Sequence, residues 1–272
     1  DVQPVDTKIA SGLQEVTVEF TAEDYDGNLF TDLSIFSTLA ITMAYPVSEY
    51  EQAYRENVDK GQGGGKGNNV FSHTFAVEVP GDSIDTFAVA MEGRFDFDFQ
   101  DGTARQGTTD TGRAIFTLDG SDPIERRQII SDNKCNACHE DLRLHGSLRV
   151  GVDYCVMCHN PNSTDIGKRA EEELPAESVH FKTMIHKIHT GEDLDQPFEI
   201  AGFSSLIDFG EVRFPGDLSK CEICHEEDTY ELPLPEEALS TVVLDDNDEL
   251  FLEKLPIRAT CTSCHDALIT EI

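Results

Sequence analysis

The 272-residue sequence has no tryptophan, few basic residues and no long apolar run. Its 20 lysines and arginines stand against 53 aspartates and glutamates, which gives a formal net charge of −33. Nucleic acid is disfavoured as a partner because phosphate binding needs a basic surface, and anionic membrane surfaces are disfavoured for the same reason. No stretch approaches the ~20 apolar residues of a transmembrane helix, so we predict no membrane span. We interpret the acidic surface as solvated, typical of a secreted or salt-adapted protein, with attraction to cations, minerals or basic partners as the alternative.

Cysteine is absent from the first 134 residues, and all eight cysteines lie in four copies of the motif C-x-x-C-H. The cysteine pairs are Cys135 and Cys138, Cys155 and Cys158, Cys221 and Cys224, and Cys261 and Cys264. The histidines that follow them are His139, His159, His225 and His265. This motif indicates covalent attachment of haem c, in which two thiols bond to one porphyrin and the next histidine is the proximal iron ligand. Zinc sites and disulfides are the alternatives, but neither accounts for a histidine after every second cysteine. We therefore predict four covalently bound haem c groups.

The uneven distribution of cysteine predicts two domains, at residues 1–123 and 124–272. The first has short alternating segments separated by turns, which predicts an antiparallel β sandwich or small barrel. The predicted strands cover residues 13–21, 39–45, 70–79, 86–99 and 112–118, after a tail or edge strand at 1–12, and residues 61–69 predict a glycine-rich loop. We predict a haem-packed, mostly irregular and short-helical domain for the remainder.

The β domain contains no catalytic constellation, and we expect it to be a structural cap, a docking surface or an assembly surface. Its cluster of aspartates at residues 24–28 does not match the spacing of an EF-hand loop. Solvated turn residues are therefore favoured there over a calcium site, and Ca2+ is kept as the alternative.

Five histidines remain to supply the sixth ligands of the irons: His73, His145, His180, His186 and His189. We predict bis-histidine haems from this count, and Met184 is the only plausible methionine ligand. His73 is the histidine left over, although it could reach the last haem of the same chain or of a neighbour.

Residues 180–189 predict a short helix that ends near Gly191. His186 and His189 lie three residues apart on one face of it and could bind two different haems. The short linker between the first two motifs predicts adjacent haems, and Gly146 after His145 predicts a helix end. We expect Phe203, Phe209 and Phe214 to lie against porphyrin edges.

The residues around the motifs, at 138–146, 155–161, 184–192 and 214–221, resemble a haem domain of the OmcA/MtrC family of outer-surface multihaem cytochromes. The resemblance covers roughly residues 121–265. It implies a preceding β-barrel-like domain, bis-histidine haems with His145, His186 and His189 as distal ligands, and electron delivery to extracellular minerals, electrodes or shuttles.

Family members usually carry ten haems and a lipid-bearing cysteine, whereas this sequence has four motifs and no such cysteine. We therefore expect a tetrahaem electron carrier, extracellular or at the cell surface after removal of a signal peptide, with the periplasm as the alternative location. Expected partners are other multihaem cytochromes and copies of itself, joined head-to-tail as a polymeric filament. The alternatives are a multihaem reductase with an open haem site, a diffusible carrier that docks on an outer-membrane complex, and an adhesive protein. The five histidines outside the motifs are enough to fill the sixth position of all four irons, which argues against an enzyme with an open haem site.

Overall fold

The computed structural model describes residues 2–4, 8–10, 12–60, 69–98, 104–202, 205–244 and 250–267. They form two compact units. Unit 1 comprises Asp1–Arg127 with His139–Met157, and unit 2 comprises Gln128–Cys138 with Cys158–Ile272. The division falls inside the first two C-x-x-C-H motifs, and the predicted domain boundary after residue 123 stays a prediction.

Unit 1 contains two antiparallel sheets. In the first, β3 (Leu13–Phe20) pairs along one edge with β1 (Val2–Pro4) and β2 (Lys8–Ala10), and along the other with β6 (Phe71–Pro80). In the second, β4 (Phe36–Tyr45) lies between β5 (Gln52–Asn57) and β7 (Thr86–Asp98). The far edge of β7 pairs with β8 (Ala104–Thr108) and β9 (Gly112–Thr117).

Alternation along the strands places one apolar core between the sheets. Leu13 of β3 is exposed, whereas Val16, Val18 and Phe20 are buried as predicted. The same core contains residues of both sheets, among them Phe71 and Phe87. Two sheets that share one core have the arrangement of a β sandwich.

The five predicted strands are present as far as the structure describes them, and β1 and β2 confirm edge strands within residues 1–12. Within the described part of residues 1–123, β5 and β8 were not predicted. The predicted loop at residues 61–69 lies outside the described residues except for Asn69, as does Phe99 at the end of a predicted strand.

The rest of the chain is mostly irregular with short helices, as predicted, and it also contains small hairpins that were not predicted. The helices are α1 (Asp132–His139), α2 (Val152–Cys158), α3 (Phe181–Thr190) and α4 (Pro256–Cys261). The two-stranded hairpins are β10 (Arg143–Leu144) with β11 (Arg149–Val150), β12 (Glu199–Ala201) with β13 (Leu206–Asp208), and β14 (Thr241–Leu244) with β15 (Leu250–Lys254). None of the described helices has the length and apolar character needed to cross a bilayer.

Two glycines were predicted to end helices, and the structure supports one of them. Gly191 follows α3 with φ +46°, and a Cβ there would clash with the carbonyl oxygen of Val212. Gly146 has φ +71°, but it follows His145 in the turn between β10 and β11. The predicted helix end at Gly146 was wrong, because Arg143 and Leu144 pair across this hairpin with Val150 and Arg149.

Candidate haem sites

Each C-x-x-C-H motif lies on a helix or a tight turn. The first two end α1 and α2, the third begins on a 3-10 turn at Cys221–Ile223, and the fourth begins at the last residue of α4. In the third motif the N–H of His225 donates to the carbonyl of Cys221 at 2.9 Å, and the N–H of His265 does the same to Cys261 at 3.0 Å. Such a turn brings the two thiols and the imidazole of one motif close together in space.

All eight cysteines are free thiols, so no disulfide connects them. Within the described ranges, no three His, Cys, Asp or Glu side chains are grouped as ligands for a metal ion. Each motif contains two thiols and one imidazole, the groups that covalent attachment of haem c uses.

The helix α3 contacts three of the four motifs within unit 2. At its start, the N–H of Phe181 donates to the carbonyl of His159 in the second motif at 2.8 Å. In its middle, His186 lies beside His225 of the third motif. At its end, Thr190 Oγ1 donates to Cys264 Sγ of the fourth motif at 3.3 Å. One helix of ten residues thus connects three haem-attachment motifs.

The rings of His186 and His225 have centroids 6.1 Å apart and an interplanar angle of 13°. With metal–nitrogen bonds of about 2.0–2.1 Å, two imidazoles that bind one metal ion can have centroids about 6 Å apart. Nδ1 of His186 contacts the Lys182 carbonyl at 2.8 Å, and Nδ1 of His225 lies 3.4 Å from Thr229 Oγ1. A histidine whose Nδ1 is held by a neighbouring oxygen presents Nε2 to a metal. The ring spacing and the Nδ1 contacts therefore fit His186 and His225 as ligands of one haem iron.

The ionisation of both rings suits iron binding, because a metal binds neutral imidazole. Burial, with a smaller contribution from His225, lowers the pKa of His186 to about 4. Burial, with a smaller contribution from Lys134, also lowers the pKa of His225. Both rings are therefore neutral at pH 7.

Three other histidines of unit 2 have the same Nδ1 arrangement. Nδ1 of His159 contacts the Val179 carbonyl at 2.9 Å, and Nδ1 of His189 contacts the Ile185 carbonyl at 3.0 Å. His180 is 5% exposed, and its Nδ1 contacts Thr241 Oγ1 at 2.8 Å. A carbonyl can only accept, so Nδ1 is the protonated nitrogen of His159 and His189, and the lone pair of each ring is on Nε2.

His73 differs from these histidines in the nitrogen that it uses. It lies on β6 in unit 1, where its Nε2 contacts Glu56 Oε2 at 3.1 Å. A carboxylate thus contacts Nε2 of His73, and whether His73 belongs to the ligand set stays a prediction. His145 lies in the β10–β11 turn with φ +53°.

The first and third motifs are neighbours within unit 2. Ile130, before the first motif, forms a bridge with His225, and the N–H of Glu226 donates to Ile129 at 2.8 Å. Lys134 Nζ donates to the carbonyl of Glu222 at 2.8 Å. Burial raises the pKa of Cys135, with smaller contributions from Asp132 and from the Cys224 thiol.

The fourth motif is fixed by the residue after its histidine. Asp266 is buried, and its carboxylate accepts hydrogen bonds from the N–H groups of Asp195 at 3.1 Å and Gln196 at 2.7 Å. This contact attaches the motif to the segment that follows α3.

Two of the three phenylalanines expected at porphyrin edges lie against other aromatic rings. Phe214 makes an edge contact with His189 at 5.7 Å between centroids, and Phe209 lies 5.9 Å from Phe198. Phe203 falls outside the described residues. Their contact with a porphyrin stays a prediction.

In the aspartate cluster considered for Ca2+, the carboxylate of Asp24 accepts hydrogen bonds from residues of the same turn. Asp24 Oδ1 accepts the N–H groups of Asp26 and Asn28 at 3.0 and 2.9 Å, and Oδ2 accepts the side chain of Asn28 at 3.0 Å. These bonds explain the cluster as an Asx turn.

Sequence reasoning missed a buried network in unit 1 that includes Tyr154, the residue before Cys155. Glu92 on β7 is fully buried and contacts Arg55, Arg149 and Tyr154. One feature of the sequence could have indicated this network: Glu92 directly follows the apolar run of residues 87–91 in a central strand.

Residues 127–271 match the family model described as outer membrane cytochrome MtrC/MtrF-like, domains II/IV. The chain belongs to this family. Multihaem cytochrome MtrC of Shewanella baltica (strain OS185) is 25% identical over 166 residues, which are 58% of this chain and 20% of that protein. The matched part of the chain thus spans about a fifth of the length of this relative.

Two crystal structures have a similar fold. The outer membrane decahaem cytochrome OmcA superposes with a TM-score of 0.57 at 19% identity, over 97% of this chain and 43% of that one. MtrC from Shewanella baltica OS185 gives a TM-score of 0.51 at 19% identity, over 98% of this chain and 39% of that one. The resemblance to OmcA/MtrC cytochromes is confirmed, and membership of a multihaem c-type family means that the chain carries covalently bound haem.

Proposed function

We propose that this chain is a tetrahaem electron-transfer protein in which each iron has two histidine ligands. The observation that carries the proposal is the parallel pair of His186 and His225, whose spacing fits one metal ion between them. When bound, haem c supplies a one-electron redox centre. The structural likeness to solved cytochromes supports the fold alone, so the function rests on the motifs and on this pair.

The proposed roles follow the motifs. The eight cysteines, Cys135, Cys138, Cys155, Cys158, Cys221, Cys224, Cys261 and Cys264, hold the porphyrins, and His139, His159, His225 and His265 are the proximal ligands. His186 is the distal ligand opposite His225. The remaining distal ligands come from His145, His180 and His189. A haem with two histidine ligands has no open position for a substrate, which favours electron transfer over turnover.

The arrangement along α3 supports transfer among the haems of one chain. Because this helix contacts the second, third and fourth motifs, the cofactors attached there are held by one rigid element. The segment before the first motif pairs with the third motif, which extends the series to all four.

The family description as an outer membrane cytochrome supports a location on the outer surface or outside the cell. The proposed partners are other multihaem cytochromes and extracellular acceptors such as minerals, electrodes or shuttles. Head-to-tail assembly of copies into a filament is the variant of this function, and a discrete carrier is its alternative. Electron microscopy of the native protein separates them, since ordered filaments support the first and small particles the second.

Intact-mass spectrometry combined with electron paramagnetic resonance tests the proposal. We expect four covalent haems per chain, all low-spin in the ferric state. The double variant Cys221→Ala/Cys224→Ala should lose one of the four haems. Fewer than four haems in the unmodified chain would overturn the tetrahaem count, and a stoichiometric high-spin ferric signal would favour a reductase with an open site.

A further inference from the structure

The carboxylate of Glu92 is fully buried on the central strand β7. Its Oε1 accepts from Arg55 Nε at 2.7 Å and Arg55 Nη2 at 2.5 Å. Its Oε2 accepts from Arg149 Nε at 2.7 Å and from the Tyr154 hydroxyl at 2.8 Å. Both oxygens are thus fully hydrogen-bonded, as a buried charge requires.

Tyr154 connects this carboxylate to a haem-attachment cysteine. Its hydroxyl is also 3.0 Å from Thr42 Oγ1 of β4, and the side chain is 2% exposed. Tyr154 lies on α2, directly before Cys155 of the second motif. All of these residues belong to unit 1.

The helix α2 depends on such contacts for its position. It has only seven residues, and helices this short are not stable in water on their own. Val152, Val156 and Met157 are buried with Tyr154. Of these four buried side chains, that of Tyr154 anchors α2 to a buried charge, so its hydroxyl fixes the direction of the residues beside it.

We infer that Glu92 is a positioning residue for the second haem: it fixes Cys155 through Tyr154, and its buried negative charge lowers the reduction potential of that haem. The inference rests on the proposed function. Ferric haem carries one more positive charge than ferrous haem, so a nearby carboxylate stabilises the ferric form. Because the network is buried, salt screens this interaction less than it would screen one at the surface. Burial raises the pKa of Glu92, but Arg149, Arg55 and Tyr154 lower it further, to below its ordinary value, so the carboxylate is ionised at pH 7.

The test uses the haem-loaded full chain with Glu92→Gln, which keeps the shape of the side chain and removes its charge. Redox titration followed by electron paramagnetic resonance should show one haem shifted to a higher potential and three unchanged. His159→Met identifies the second haem in the same titration, because a methionine ligand raises its potential. A merely structural role predicts the opposite sign, since a loosened site admits water and water stabilises the ferric form.

Variants of Arg55 provide a second measurement of the same haem potential. It can be made even if Glu92→Gln does not fold. Arg55→Gln removes a positive charge from the same carboxylate and should lower the potential of the same haem, whereas Arg55→Lys keeps the charge and should leave it near the original value. Equal shifts in both Arg55 variants would overturn the inference, as would an unchanged or lower potential in a folded Glu92→Gln protein that retains four haems. Mass spectrometry separates these results from failure of the proposed function, which would appear as missing haem in the unmodified chain.

Discussion

The imidazole of His186 lies parallel to that of His225, with 6.1 Å between the ring centroids. His186 is on α3, and His225 ends the third C-x-x-C-H motif. Under the proposed function this relationship pairs one distal ligand with one proximal ligand, which neither motif spacing nor histidine count could do. It also gives the electron-transfer proposal its most direct test.

His186→Ala should remove the sixth ligand from one haem of the four. We expect one haem to change from low-spin to high-spin, visible by electron paramagnetic resonance and by a charge-transfer band in the optical spectrum. His186→Met should keep that haem six-coordinate and raise its potential, because methionine ligation favours the ferrous state.

The matched control for this change is His73→Ala. Nε2 of His73 contacts Glu56 in unit 1, so its removal should leave all four haems low-spin. Met184→Leu controls for methionine ligation in the same way. A fully low-spin spectrum for His186→Ala would contradict the assignment, as would a high-spin haem in His73→Ala.

The stability of unit 1 should depend on pH through Glu92. Its pKa in the folded chain is below the ordinary value of 4.5, because hydrogen bonds from Arg149, Arg55 and Tyr154 outweigh the opposing effect of burial. The stabilisation is therefore present above about pH 4.5 and is lost as the pH falls through the folded pKa. Glu92→Gln should cost about 1.5–3 kcal/mol at pH 7, because the partly exposed Arg55 and Arg149 lose a charged hydrogen-bond partner.

Urea unfolding followed by far-ultraviolet circular dichroism at pH 7, 5, 4 and 3 measures this effect. The difference in free energy of unfolding between the original protein and Glu92→Gln should narrow below pH 4.5. A difference that stays constant down to pH 3 would show that the charge of Glu92 does not contribute.

The strands were largely predictable because alternation along a strand reports which face is buried. In β3, the alternation of Glu15, Thr17 and Glu19 with Val16, Val18 and Phe20 matches the observed burial. β5 escaped prediction because it is a polar edge strand, with no residue fully buried between Gln52 and Asn57. β8, Ala104–Thr108, has no large apolar side chain to mark it. Both are formed by pairing with neighbouring strands and not by a pattern of their own.

At the candidate site, covalent chemistry was predictable and spatial pairing was not. C-x-x-C-H identifies attachment from five adjacent residues. The pairing of His186 with His225 depends on the path of the irregular chain between them, which has no periodicity to interpret. The role of Tyr154 was hidden for a similar reason, since its partner Glu92 lies on a distant strand.

Phe87 should be among the most sensitive core positions of unit 1. Its side chain is fully buried, and its ring lies 4.5 Å from that of Tyr45 and 5.4 Å from that of Phe116. Phe87→Ala should lower the free energy of unfolding by about 3–5 kcal/mol through lost burial and a residual cavity. Ile84→Ala is the control, because Ile84 is 82% exposed and should change stability by less than about 0.5 kcal/mol. Urea titrations that gave equal values for the two variants would contradict this account of the core.

Asp266 should hold the fourth motif against the segment after α3. Asp266→Ala leaves the N–H groups of Asp195 and Gln196 without their carboxylate, and a hydrogen bond to a charged group is worth about 1.5–3 kcal/mol. Since about 1.4 kcal/mol corresponds to a factor of ten, amide hydrogen exchange at residues 195 and 196 should become at least tenfold faster. Asp217→Ala is the control, because Asp217 makes a similar contact to Ser219 in an exposed turn and should leave these amides unchanged. Hydrogen exchange read by mass spectrometry decides the point: unchanged protection at residues 195 and 196 in Asp266→Ala would mean that other contacts hold the fourth motif in place.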